Sequence, residues 1–125
     1  MEEEKNILIV EDEQVIAMDL KKTISNFGYN VLSTVSSGEE ALDFMAASKP
    51  NLVIMDILLA GDLNGIETGV IVSERYNIPI IYITAYAKEI LLRSKITESS
   101  TFLVKPFNES ELQKKIEDVL SNSSI

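Results

Sequence analysis

A chain of 125 residues with 46% hydrophobic and 25% charged residues has the composition of one globular domain, which excludes disordered, collagenous and low-complexity classes. Lys and Arg number 11 against 20 Asp and Glu, a formal charge of -9, so direct nucleic-acid binding by counterion release is not expected. With Cys 0 and His 0, disulfides, thiolate chemistry, zinc-histidine sites and a Ser-His-Asp triad are all removed, and the chemistry falls to carboxylates, hydroxyls and lysine.

Residues 1–5 are acidic where a targeting peptide needs a basic start, and no apolar run approaches the length of a bilayer span, so a cytoplasmic protein without membrane contact is expected. Apolar runs at 7–10, 31–35, 52–55, 80–83 and 102–104 are strand length and rich in Ile and Val, the pattern of strands buried on both faces of a parallel sheet. Between the first two, Val15, Ile16, Leu20, Ile24 and Phe27 share a helical face, and Gly28 marks its stop. A helix over 38–47 carries Ala41, Leu42 and Met45 and ends before Pro50. The next runs from Gly65 through Ile66, Val70 and Val72 towards Tyr76, with Pro79 opening the following strand. A helix around 87–96 holds Ile90, Leu91 and Ile96. The last starts at Asn108, where Asn108 and Glu111 have capping-box spacing, and places Leu112, Ile116, Val119 and Leu120 inward. Strand and helix alternate five times. Right-handed crossovers then predict an α/β doubly wound sandwich with helices on both faces. No linker or second composition regime is visible, so one domain over 1–125, with its core at about 6–120 and no effector domain, is the expectation.

In such a sheet, ligands bind beyond the carboxyl ends of the strands. The first strand delivers Glu11, Asp12 and Glu13 there, the third Asp56, the fourth Thr84, and the fifth Lys105 followed by Pro106. Carboxylates without His or Cys are hard oxygen ligands suited to Mg2+ or Mn2+. Asp56 emerges from a desolvated strand into this charged edge, and a carboxylate so placed can attack a phosphoryl group to form an aspartyl phosphate. The ion and Lys105 would balance charge on the transferred oxygens, and the Thr84 hydroxyl would hydrogen-bond one of them.

Four segments carry a resemblance: ILIVEDE at 7–13, LVIMD at 52–56, ITAY at 83–86 and FLVKPF at 102–107. From Asn6 to about Leu120 the chain resembles a response-regulator receiver domain of two-component signalling, of the chemotaxis-receiver kind. The resemblance implies a flavodoxin-like (βα)5 fold with a five-stranded parallel sheet in order 2-1-3-4-5. It makes Asp56 the phosphoacceptor, Glu11 and Asp12 the acidic metal pair, and Leu58 the source of a further metal contact through its backbone carbonyl. Thr84 becomes the switch hydroxyl, Phe102 the switch aromatic and Lys105 the phosphate-contacting lysine, with a cis bond before Pro106. A sensor histidine kinase or phosphotransfer protein would supply the phosphoryl group. A downstream effector would read the face formed by the helix at 87–96, the fifth strand and the last helix, where homodimerisation is also expected.

The chain departs from that pattern in four places. Ala60 and Asn64 stand where Pro and Gly are common, with Gly65 one residue late, which reads as an insertion near Gly61 or Asp62. The usual Gly before the fifth strand is missing. Phe102 replaces the more frequent tyrosine, so the switch reports by packing and not through a phenol hydroxyl. At the two places that tune phosphoryl lifetime in the family stand Leu58 and Tyr86, neither of which activates water, and a long-lived phosphorylated state is expected.

Enzyme activity beyond Mg2+-dependent self-phosphorylation and slow autodephosphorylation is not expected. A haloacid-dehalogenase-type phosphohydrolase needs a second Asp where Leu58 stands, and a flavodoxin needs a Ser/Thr/Gly-rich phosphate loop where the first strand is followed by acids. The competing reading is a pseudo-receiver, an interaction module that is never phosphorylated.

Overall fold

The computed structural model describes residues 5–57, 59, 64–84 and 101–122. Five strands, β1 (Asn6–Val10), β2 (Asn30–Val35), β3 (Leu52–Asp56), β4 (Ile80–Thr84) and β5 (Thr101–Val104), form one parallel sheet in the order β2-β1-β3-β4-β5. Helices α1 (Gln14–Asn26), α2 (Gly38–Ala47), α3 (Gly65–Tyr76) and α4 (Glu109–Asn122) flank it. The predicted helix at 87–96 lies outside the described residues.

The continuous apolar runs exist because successive side chains serve two separate cores. Ile7 and Ile9 of β1, Leu52 and Ile54 of β3, Ile81 and Ile83 of β4 and Leu103 of β5 pack with Leu20 and Ile24 of α1 and Leu112, Ile116 and Leu120 of α4. Their alternates, Leu8, Val10, Val53, Met55, Ile80 and Tyr82, pack with Ala41 and Met45 of α2 and Val72 of α3. Both faces of the central strands are therefore dry, and Asn6, Asp56 and Thr84 stand at the strand ends.

One such end is extended by asparagines. The Asn6 N–H donates to Asn51 Oδ1 at 2.7 Å, and Asn30 Nδ2 donates to Asn6 Oδ1 at 2.9 Å. These bonds carry β1 and β2 one residue beyond their predicted starts, which apolar runs alone do not reveal.

One helical face differs from expectation, and a second is built from residues that the apolar pattern does not mark. Val15 is 81% exposed, because α1 meets the sheet through Ala17, Leu20 and Ile24 and residue 15 lies off that stripe. Val70 is 41% exposed, since α3 buries Gly65, Thr68, Gly69 and Val72 instead. Three of those four are small or hydroxylic, so a hydrophobicity pattern passes over them. At the end of α1, Gly28 has φ 101, the left-handed conformation expected of the residue that stops it.

The caps of α3 and α4 are built alike. Asn108 Oδ1 accepts from the Glu111 N–H at 2.8 Å and Glu111 Oε1 accepts in return at 3.4 Å, which is the predicted capping box. Asn64 and Glu67 make the same reciprocal pair at 2.8 and 3.1 Å, unmarked in the sequence reading. We predict that Asn64→Ala lowers stability by about 1 kcal/mol and that Asn64→Asp is close to neutral. Equal losses for both in urea unfolding would mean that the cap is not what holds this helix start.

Candidate functional site

Each strand that points at the site ends in a polar residue or is followed at once by one, and backbone bonds to the neighbouring strand run up to or past it. The Glu11 N–H donates to the Val35 carbonyl at 2.9 Å, continuing the β1 ladder into the acidic segment. Asp56 closes β3, and the following Ile57 N–H donates to the Ile83 carbonyl at 3.1 Å. The Lys105 N–H donates to the Thr84 carbonyl at 2.9 Å, so β4 and β5 hand over the hydroxyl and the amine together. The Lys105–Pro106 bond is cis.

These ladders bring side chains from distant parts of the chain into one pocket. Lys105 Nζ lies 3.1 Å from Asp56 Oδ2 and 3.7 Å from Glu11 Oε1. One carboxylate oxygen from each of Glu11, Asp12 and Asp56 lies within 4.8 Å of the others. Glu11, Asp56 and Thr84 are 3%, 7% and 1% exposed, and Asp12 and Lys105 are half-buried. Leu58 and Tyr86 lie outside the described residues.

The electrostatics of the pocket are unbalanced. Both Glu11 carboxylate oxygens are buried without a hydrogen-bond donor, and the Lys105 ammonium is within ionic range of Oε1 but beyond hydrogen-bonding distance. Desolvation first, then the adjoining Asp56 carboxyl and the charge of Asp12, push the Glu11 carboxyl up to about 8 against the pull of Lys105. Burial works against the Lys105 charge as well, but its hydrogen bond to Asp56 and the charges of Asp56, Glu11 and Glu13 outweigh it, and its pKa is raised.

Buried carboxylates are relieved by a shared proton or by a cation. The donors are all hard oxygens, one of them an orphaned buried carboxylate, and this set fits a divalent ion of the Mg2+ kind. Lys105 alone does not neutralise three converging acids.

The sequence reading missed two contacts beside the pocket. The first turn of α3 rests directly on the backbone of the strand that carries Asp56. The Gly65 N–H donates to the Ile57 carbonyl at 2.9 Å, and a Cβ at Gly65 would stand 2.1 Å from the Asp56 carbonyl oxygen and 2.7 Å from Ile57 Cα. Whatever register the loop before it takes, Gly65 is the residue that permits this approach. The other contact is aromatic: the Phe102 ring stacks on Tyr82 with centroids 5.5 Å apart and planes at 30°. Two glycines inside one predicted helix, at 65 and 69, were the available signal.

Comparison with known proteins agrees with this geometry. The sequence model described as "Response regulator receiver domain" matches residues 7–117. The chain is 32% identical over 118 residues to the transcriptional regulatory protein PdtaR of Mycobacterium tuberculosis, covering 94% of this chain and 57% of that protein. It is 33% identical over 115 residues to the phyllosphere-induced regulator PhyR of Methylorubrum extorquens, covering 91% and 43% respectively. The chain thus spans about half the length of these curated relatives. The solution structure of the Erythrobacter litoralis PhyR response regulator REC domain superposes with a TM-score of 0.85 at 33% identity, over 94% of this chain and 90% of that one. Among the described residues, no helix is long and apolar enough to cross a membrane.

Proposed function

Because the chain belongs to the response regulator receiver family of two-component signalling, we propose that it is a phosphoacceptor switch in which Asp56 takes a phosphoryl group from a histidine kinase or phosphotransfer protein. The observation that carries this reading is the convergence of Glu11, Asp12, Asp56 and Lys105, with Asp56 held 3.1 Å from its countercharge. An Asp56 carboxylate oxygen attacks phosphorus, the new O–P bond forms, the P–N bond to the donor imidazole breaks, and the imidazole leaves. Glu11, Asp12, Asp56 and the Leu58 carbonyl are the residues that would hold Mg2+. When bound, the ion supplies positive charge to the transferred oxygens. Lys105 neutralises the acceptor and then the product, and Thr84 donates to a phosphoryl oxygen.

Phe102 responds by packing, and the signal leaves through the face that includes β5 and α4 to a downstream effector or a second copy. The setting is cytoplasmic. The PhyR of Bartonella quintana, 29% identical to this chain, is an anti-anti-sigma factor, and output through a protein partner fits that relative.

Intact-mass measurement tests the reading. Wild type with Mg2+ and acetyl phosphate or phosphoramidate should gain one phosphoryl adduct, and Asp56→Asn should gain none. No adduct with either donor would make the chain a pseudo-receiver, and an adduct kept by the variant would move the acceptor elsewhere. The adduct should decay slowly, and Leu58→Asn combined with Tyr86→Asp should shorten its life; an unchanged decay rate would remove these residues from that role.

A further inference from the structure

Gly69 sits in the interior of α3, where glycine costs roughly 0.5–1 kcal/mol relative to alanine. The space it leaves is used. A Cβ at residue 69 would meet Tyr82 Oη at 2.0 Å, Cζ at 2.7 Å and Cε1 at 2.8 Å, so the phenol end of Tyr82 is seated on the α3 backbone. The same ring carries Phe102 stacked on it at 5.5 Å. Tyr82 is buried between these neighbours, and an aromatic ring has only two torsions through which to yield. A chain of direct contacts therefore runs from α3 through Tyr82 to Phe102, within one of the two cores.

We propose that Tyr82, seated on Gly69, is a positioning residue for Phe102 that ties the switch aromatic to α3, so that phosphorylation moves α3 as well as β5. This deepens the reading of Phe102 as the switch and rests on it. Close-packed contacts of this sort have discrete arrangements and do not deform smoothly, so a change at one end is passed on.

The test uses 13C-phenylalanine and 15N labelling, with Phe102 signals identified by their loss in Phe102→Leu, and intact mass run on the same samples. In the resting protein, Gly69→Ala should move the Phe102 signals by displacing Tyr82. In a Tyr82→Leu background the added Gly69→Ala should move them little, because the seat is no longer filled by a ring. With Mg2+ and acetyl phosphate, wild type should shift both Phe102 and the α3 amides. Tyr82→Leu should form the same Asp56 adduct while the α3 shifts are lost. If wild type forms no adduct by mass, the phosphoacceptor reading fails, and the switch role of Tyr82 fails with it. If the adduct forms and the α3 amides of Tyr82→Leu still respond as in wild type, the relay alone is wrong. A Phe102 spectrum unmoved by Gly69→Ala likewise overturns the relay and leaves the phosphoacceptor reading standing.

Discussion

Glu11→Gln should raise the thermal midpoint of the metal-free protein at pH 8 and above while weakening Mg2+ binding by roughly tenfold or more, the scale on which even outer-shell changes at metal sites act. The two effects have one cause. Glu11 is buried with no donor on either oxygen, so its charge costs stability unless a cation is present. Desolvation and the neighbouring Asp56 raise its pKa from 4.5 to about 8, so the folded protein keeps a proton that the unfolded chain has already released. Between about pH 4.5 and about pH 8, Glu11 binds its proton more in the folded than in the unfolded state, and its contribution to stability falls as pH rises, by at most about 1.4 kcal/mol per pH unit. Lys105, whose pKa is also raised, loses its contribution only at more alkaline pH and does not cancel this slope. Mg2+ competes with the proton, so the stabilisation it gives should grow across the same window. Calorimetry of wild type and Glu11→Gln from pH 5 to 9, with chelator and with Mg2+, reads all of this. Parallel pH profiles for the two metal-free proteins would show that Glu11 is not the group responsible.

Gly65→Ala is expected to damage the site more than it damages the fold. The added Cβ would lie 2.1 Å from the Asp56 carbonyl oxygen, 2.7 Å from Ile57 Cα and 2.9 Å from the Asp56 carbonyl carbon. These are backbone atoms of a central strand, with no flexible side chain among them to give way. Either α3 lifts off the sheet or the end of β3 is displaced. Overpacking of this kind costs about 1–3 kcal/mol, and a displacement near 1 Å at a reacting group costs about 100-fold in rate. The expected result is a folded variant with a lowered urea midpoint that forms the Asp56 adduct about 100-fold more slowly. Asn64→Ala serves as the comparison, because it weakens the same helix start without touching Asp56. If both variants phosphorylate at rates that follow their stabilities alone, Gly65 has no positioning role.

Much of the architecture was legible along the chain because it depends on local and repetitive signals. Five short Ile/Val runs separated by helical periods leave a parallel doubly wound sheet as the consistent arrangement, and the strand order found agrees with the one the resemblance implies. Asn108 and Glu111 marked a helix start because capping involves residues only three apart. Where burial depends on small residues, the apolar pattern does not mark the face: Val70 is exposed, while Gly65, Thr68 and Gly69 are covered. In α1, Val15 shows that an apolar residue one position off the stripe is outside it.

The residue types at the strand ends, and hence the hard-oxygen and phosphoryl chemistry open to them, were determined by the sequence itself, since chemistry follows from side-chain identity and the topology sends strand ends to one edge. The tertiary structure alone decided that Lys105 hydrogen-bonds Asp56 and only approaches Glu11, that the Glu11 oxygens have no donor, and that α3 closes on Asp56 through Gly65 and on Tyr82 through Gly69. Those are differences of an ångström or less between groups far apart in the chain. They arise from how two cores pack against one sheet, and no pattern of neighbouring residues encodes them.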